Sequence, residues 1–173
     1  MKEFETERLI LRKVTLNDLD DLFNNWGSDV NTTKFLTFKT HENKETTLKY
    51  INNWISKYEK GGLEWAIELK ENHQVIGMIS ALETYKYKCV EIGYSISSKY
   101  WNKGLMTEAI NEIIKYLLNE CDYNIVEAII PSNNIGSIKV SEKCGLTCEA
   151  ILKNRYKDSD GIVQDLKVYS IIK

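Results

Sequence analysis

The residues best suited to chemistry lie in one run, Ile92-Gly93-Tyr94-Ser95-Ile96-Ser97-Ser98-Lys99-Tyr100-Trp101-Asn102-Lys103-Gly104-Leu105-Met106-Thr107-Glu108-Ala109. Its first part reads as a strand, its middle is a polar loop, and a helical pattern begins at Gly104. The first N–H groups of a helix have no intrahelical partners, and the helix dipole adds partial positive charge there. A strand that passes through a glycine turn into a helix is a common way to hold a phosphate. An anionic ligand is therefore expected at Gly104. The chain has neither G-x-x-x-x-G-K-[ST] nor G-x-G-x-x-G, so the two common nucleotide signatures do not compete.

Other reactive groups are few. Cys89, Cys121, Cys144 and Cys148 have the spacing of neither a zinc pair nor a thioredoxin motif, and read as free thiols. His41 and His73 both fall in polar, loop-like stretches. Neither a Cys–His nucleophile nor a metal site is expected. Asn134 reads as a helix N-cap, with Ser137 in the first turn behind it. Glu91 and Glu127 are carboxylates on two separate strands, and Glu91 reads equally as an alternating polar strand residue.

The elements that must position these groups follow from periodicity. Arg8–Val14 is a first strand. Thr15 or Asn17 caps a helix carrying Leu16, Leu19, Leu22, Phe23 and Trp26, and Gly27 ends it. Residues 28–43 read as a loop. Glu42–Lys60 is a second helix with Leu48, Ile51, Trp54, Ile55 and Tyr58 as its stripe. Three strands follow, Glu64–Leu69, Gln74–Leu82 (with Gly77 inside it) and Cys89–Ile96, joined by short loops and so antiparallel. Gly104–Asn119 is the clearest helix, a crossover to a parallel strand Tyr123–Ile130. A helix from Asn134 to Cys144, a strand Leu146–Lys153, a turn Ser159-Asp160-Gly161 and a strand Val163–Ile172 complete the order β-α-α-β-β-β-α-β-α-β-β. That order predicts an α/β (α+β) fold: a mixed, mostly antiparallel sheet with helices on both faces and one central parallel strand pair.

At 173 residues with a formal net charge of −2, the chain is expected to form one domain, residues 1–173, with no basic field for nucleic acid. No apolar run is long enough to span a membrane, and the charged start Met1-Lys2-Glu3-Phe4-Glu5 has no signal-peptide core. A cytoplasmic protein is expected, with neither a nucleic-acid nor a membrane partner. Monomer and homodimer both stay open.

Three local patterns, in order along almost the whole chain, resemble the GNAT family of acetyl-CoA-dependent N-acetyltransferases, in its ribosomal-protein N-acetyltransferase-like (RimJ/RimL-type) branch. Glu5-Thr6-Glu7-Arg8-Leu9-Ile10-Leu11-Arg12 is similar to the branch's TERLxLR start. Glu91-Ile92-Gly93-Tyr94 followed by Trp101-Asn102-Lys103-Gly104-Leu105-Met106-Thr107-Glu108-Ala109 is similar to EIGY…WGKGxxTEA. Asn134-Ile135-Gly136-Ser137 followed by Glu142-Lys143-Cys144-Gly145-Leu146 is similar to NxxSxxxxEKxGF. Met106 departs from the general family turn, which has Gly or Ala there, and Trp101 stands at its first position.

The resemblance implies a GNAT fold, an acetyl-CoA co-substrate, no metal, and an amine-bearing acceptor. It places a pantetheine arm along Glu91–Ile96, with Ile96 as the first backbone contact and Tyr94 and Ser95 near the acetyl group. The N–H groups of Asn102, Lys103, Gly104, Met106 and Thr107 would hold the pyrophosphate, with Lys103 adding charge. Asn134 would contact the pantetheine amide. Ser137 would protonate or stabilise the leaving thiolate, and Glu91 would take the amine's proton through water, with Glu127 as the competing base. The acceptor is a protein N-terminal amine or, alternatively, a small amine such as a polyamine, an amino acid or an aminoglycoside. A weakly catalytic acyl-CoA-binding module is the other alternative. The run Asp18, Asp20, Asp21, Asp29 suggests an acidic cleft for polycations or, equally, a solvated helix face, and Trp26, Phe35 and Trp65 are candidate cleft aromatics that read more simply as core.

Overall fold

Strand alternation and helical stripes resolve into eight strands and five α-helices in the computed structural model, which describes residues 1–84, 87–158 and 161–173. The elements are β1 (Phe4–Glu5), β2 (Leu9–Arg12), α1 (Leu19–Leu22), α2 (Val30–Thr33), α3 (Lys44–Tyr58), β3 (Leu63–Leu69), β4 (Val75–Glu83), β5 (Cys89–Ile96), α4 (Leu105–Asn119), β6 (Ile125–Pro131), α5 (Ile135–Lys143), β7 (Thr147–Lys157) and β8 (Val163–Ile172). The strands follow the order β1-β2-β3-β4-β5-β6-β8-β7 in one sheet. The β5–β6 pair is parallel and α4 is its crossover; the pairs β1–β2, β2–β3, β3–β4, β6–β8 and β7–β8 are antiparallel. The mixed, mostly antiparallel sheet expected from the sequence is the one observed.

The chain divides into two compact units, Met1–Ala81 with Tyr94–Leu105 and Leu82–Gly93 with Met106–Lys173. In the first, Val14, Leu22, Trp26, Ile51, Trp54, Ala66, Val75 and Met78 form a buried cluster, with Phe38, Tyr50 and Tyr58 packed against it. Trp26 and Trp65 are core side chains, while Phe35 is half-buried. Their indoles still satisfy their N–H groups: Trp65 Nε1 donates to the Lys2 carbonyl at 2.8 Å, and Trp26 Nε1 to Ser95 Oγ at 2.7 Å. Arg12 ties β2 to its surroundings, with Nη1 and Nη2 at 2.9 and 2.8 Å from the two Asp18 oxygens and Nε on Glu68. Both carboxylates are buried, so this bridge anchors the first turn after β2.

Gly77 marks a close approach inside the same unit. A Cβ there would lie 2.3 Å from the Ser95 carbonyl oxygen and 2.9 Å from Ile96 Cα. The glycine lets β4 and β5 come together where Ser97 N–H donates to the Ile76 carbonyl at 2.8 Å.

In the second unit, Ile110, Ile113 and Leu117 of α4 are fully buried, as are Val126 and Ala128 of β6 and Tyr169 of β8. Tyr169 keeps its hydroxyl satisfied on Glu142 Oε1 at 3.1 Å. The β6–β8 ladder runs the full length of β6, through Pro131↔Leu166. The parallel ladder is short: Cys89↔Ile125, Val90↔Val126 and Glu91↔Glu127. Among the described residues it ends there, although β5 continues to Ile96.

Several expectations need correction. The stretch 28–43 contains α2, because the Asp29 side chain accepts from Asn31 N–H and caps a single turn. The helix expected after Thr15 is broken into a 3-10 turn Leu16–Asp18, the α turn α1 and a π turn Phe23–Gly27. A two-residue β1 precedes the first expected strand, and β7 runs on to Lys157. His41 is not in a polar loop environment: it is 3% exposed, stacked on Tyr50 at 4.8 Å, with Nδ1 2.8 Å from Thr47 Oγ1. Burial lowers its pKa. The expected turn Ser159-Asp160-Gly161 falls partly on residues 159 and 160, outside the described residues.

Candidate active site

The loop from Ser97 to Gly104 is held from several sides within the first unit. Asp29 Oδ2 and Thr32 Oγ1 both take the Ser98 N–H, each at 2.9 Å. Thr32 Oγ1 in turn donates to Asp29 Oδ2 at 2.6 Å. Trp101 Nε1 donates to the Ile96 carbonyl at 2.9 Å, closing the loop back onto the end of β5. The Lys103 ammonium lies 5.0 Å from the centre of the Tyr100 ring. The Arg8 guanidinium donates from Nη1 to the Lys103 carbonyl at 2.9 Å. The loop is thus fixed by an acid, an indole, a cation–π contact and a guanidinium.

Asn102 and Gly104 are both left-handed, with φ +59° and +77°. Asparagine tolerates that region and glycine adopts it freely. Left-handed residues are one component of the αR–αL backbone nests that bind anions. Among the described residues, no backbone or side-chain acceptor takes the N–H of Asn102, Lys103 or Gly104. Directly behind Gly104 comes α4, whose opening N–H groups at Leu105, Met106 and Thr107 are those a helix leaves unpaired. The side chain of Met106 is 6% exposed and belongs to the core, so it does not crowd the turn. Nothing but Arg8 Nη2, at 3.6 Å, lies within 4 Å of where a Gly104 Cβ would stand. These residues fit a bound phosphate.

Asp29 carries a measurable consequence. Its partial burial works to raise the carboxyl pKa, but hydrogen bonds from Thr32 and Ser98 outweigh it and hold the group at about 2, against an ordinary 3.8. A depressed folded pKa stabilises the fold above the unfolded value and is lost as pH falls from about 4 to about 2. The variant Asp29→Asn is expected to melt below wild type at neutral pH, with the gap closing across that window. Thermal melts at stepped pH check it; a gap independent of pH contradicts it.

In β5, the residues expected near an acetyl group are partly committed. Ser95 Oγ accepts from Trp26 Nε1. The Ile96 carbonyl accepts from Trp101 Nε1. Since Ser97 N–H faces β4, strand alternation turns the Ile96 N–H the other way, and that N–H is the group left to receive an added strand. Tyr94 is half-buried in the same stretch.

The second unit holds the remaining candidates. Glu91 and Glu127 are direct cross-strand partners in the parallel ladder. Glu127 is 4% exposed, whereas Glu91 is half-buried. Of the two, Glu91 is the carboxylate that a solute or water reaches. Asn134 caps α5, its Oδ1 accepting from Ser137 N–H at 3.2 Å, so the N-cap expected from the sequence is present. Ser137 is half-buried in the first turn of α5. Thr107 takes part through its carbonyl, which accepts from Cys144 Sγ at 3.6 Å. Burial pushes the Cys144 thiol up to about 11, which suits a structural thiol rather than a nucleophile. The imidazoles bond to Thr47 and Glu68, not to a thiol.

Two features escaped the sequence reading. Arg8 reaches the turn from far along the chain, a contact no local pattern announces. Most of the acidic run is engaged: Asp18 is paired with Arg12, Asp21 accepts from Val75 N–H and Asp29 holds Ser98, while Asp20, paired with Lys44, is exposed.

With this fold and turn in place, comparison with known proteins gives the class. The model of the acetyltransferase (GNAT) domain matches residues 8–147, so the chain belongs to the GNAT acetyltransferase family and is an N-acetyltransferase. It is similar to the uncharacterized N-acetyltransferase YoaA of Bacillus subtilis (strain 168), with 31% identity over 172 residues, covering 98% of this chain and 96% of that one. Among solved structures, the ribosomal-protein-S5-alanine acetyltransferase from Vibrio fischeri superposes with a TM-score of 0.86 at 20% identity, covering 99% of this chain and 97% of that one. The spermidine N-acetyltransferase from Vibrio cholerae, in complex with CoA and spermine, gives 0.79 at 20% identity, covering 95% of each chain. At these identities the two structures speak to the shared fold.

Proposed function

We propose that residues 1–173 act as one acetyl-CoA-dependent N-acetyltransferase domain whose acceptor is a primary amine at a protein N-terminus. The observation that carries the donor assignment is the left-handed turn Asn102–Gly104, with N–H groups unpartnered among the described residues, leading into α4. In this reading the N–H groups of Asn102, Lys103, Gly104, Met106 and Thr107 hold the pyrophosphate. Beyond Glu91 the parallel ladder has ended, and β5 offers its edge, through the Ile96 N–H, to a pantetheine arm that pairs like an added strand, with Tyr94 and Ser95 beside the acetyl group. Asn134, already an N-cap through Oδ1, contacts the pantetheine amide.

The bound thioester supplies an activated acetyl group. Attack needs a neutral amine, and Glu91 takes the proton the amine loses, through one water. Ser137 Oγ–H donates to the departing sulfur, helped by its place at the start of α5. Glu127, more deeply buried, is the weaker candidate for the base. The variant Ser137→Ala is expected to lower kcat about tenfold or more while leaving the KM for acetyl-CoA within about twofold. Steady-state kinetics read this, and unchanged turnover removes Ser137 from the mechanism.

A protein N-terminus is favoured as acceptor by the resemblance of the sequence motifs to the ribosomal-protein branch. The engagement of Asp18, Asp21 and Asp29 in structural bonds, with Asp20 the exposed member of the four, weakens the case for a polycation. A thiol-release assay with acetyl-CoA tests the acceptor, using peptides that begin with Ala, Ser or Met alongside spermidine and an aminoglycoside. Release with a peptide and none with the small amines is expected; the reverse pattern overturns the acceptor assignment and leaves the donor assignment standing.

A further inference from the structure

The geometry points to Arg8 as a second phosphate-binding group for the donor, its guanidinium contacting the pyrophosphate beside the Asn102–Gly104 turn. This rests on the proposed reading of that turn as the pyrophosphate cradle. Four observations, all within one compact unit, lead to it.

The first is how Arg8 is presented. Thr6 and Leu9 close a tight turn on each other: Thr6 N–H donates to the Leu9 carbonyl at 2.9 Å, and Leu9 N–H donates to Thr6 Oγ1 at 3.0 Å. The Arg8 carbonyl is fixed in turn by Lys70 N–H at 3.0 Å. Arg8 therefore stands at a rigid corner ahead of β2, exposed, with its backbone held. The second is where it goes. The side chain crosses to residues nearly a hundred positions later, placing Nη1 at 2.9 Å from the Lys103 carbonyl and Nη2 at 3.6 Å from the position a Gly104 Cβ would occupy.

The third is chemical. A guanidinium is a planar fork of five donors, enough to serve a carbonyl, a further protein partner and a phosphate at once. A lysine ammonium is a point charge and offers no such fork. The fourth is the fate of the lysine in the turn. The Lys103 ammonium, the cation the sequence offers for this role, lies over the Tyr100 ring. Arg8 brings charge to the turn instead, and its bond to the Lys103 carbonyl helps to set the direction of the Gly104 N–H.

Titration calorimetry with CoA and with dephospho-CoA, on wild type, Arg8→Met and Arg8→Lys, tests this. Arg8→Met keeps an apolar stem and removes the charge. Its affinity is expected to fall about tenfold or more for both ligands, with a shallower dependence of log K on log salt, and Arg8→Lys to recover part of the loss. A loss confined to CoA would put the guanidinium on the 3′-phosphate and overturn the assignment. Unchanged affinity overturns it too, as does a loss with an unchanged salt slope, which is the mark of a residue that only props the turn. Melting curves of the three proteins verify that each is folded. If wild type binds neither ligand, it is the donor-site reading that fails, a result distinct from all of these.

Discussion

Gly104→Glu is expected to weaken acetyl-CoA binding by at least about a hundredfold while the protein stays folded. Two effects arise. Gly104 has φ +77°, a region that costs an L-residue about 1–2 kcal/mol. The new carboxylate would stand at the turn itself, repelling a pyrophosphate and competing for Arg8, whose Nη2 lies 3.6 Å from the Cβ position. Like charges about 4 Å apart at a protein surface add about 1–4 kcal/mol. The strain weighs on free and bound protein alike and so on stability, while repulsion in the upper part of that range supplies the roughly 2.7 kcal/mol that a hundredfold represents. Calorimetry on the purified variant reads the result. Wild-type affinity in a folded Gly104→Glu protein would remove the turn from the donor site.

Gly77→Val is expected to be the most damaging substitution away from the turn. The added Cβ would lie 2.3 Å from the Ser95 carbonyl oxygen and 2.9 Å from Ile96 Cα. Both are backbone atoms, so no side chain can swing aside and β5 itself must shift. Overpacking of this kind costs about 1–3 kcal/mol, and a melting point falls about 2–4 °C per kcal/mol in a chain of this size. A drop of about 5–10 °C is expected. The moved atoms belong to the residues assigned to the acetyl group and the pantetheine arm, so acetyl transfer should fall further than stability alone explains. Melting and thiol release measured on the same preparation, at a temperature where the variant is fully folded, separate the two. Full turnover there would mean that the end of β5 does not position the donor.

The parts of the fold that were legible in sequence are those whose pattern is set by local burial. β5 at Cys89–Ile96 and β8 at Val163–Ile172 have the boundaries that alternation suggests. The buried Ile110, Ile113 and Leu117 of α4 reflect its apolar stripe. What was not legible depends on distant partners. α2 forms because Asp29 caps it, and the same carboxylate is tied to Ser98, far along the chain. His41 lies among polar neighbours in sequence but is enclosed by Trp26, Phe38 and Tyr50 in space. The acidic run looked like a surface because charge is visible in sequence, while the Arg12, Lys44 and backbone partners that absorb it are not.

The candidate site divides the same way. The turn at Gly104 and the N-cap at Asn134 are local chemistry and could be read directly. The commitment of the Ile96 carbonyl to Trp101, the burial of Met106 and the reach of Arg8 to Lys103 are tertiary facts. They sharpen the proposal: the contact with an added strand would pass to the Ile96 N–H, the buried Met106 side chain would not obstruct it, and Arg8 would bring charge to the turn from the start of the chain.

The most direct measurement is amide hydrogen exchange followed by mass spectrometry, with and without CoA. If the backbone of the turn and the edge of β5 hold the donor, CoA should slow exchange in peptides covering Ile96 and Asn102–Thr107, with little change in β7. Unchanged exchange in those peptides at saturating CoA, or protection confined to another part of the chain, would contradict the account.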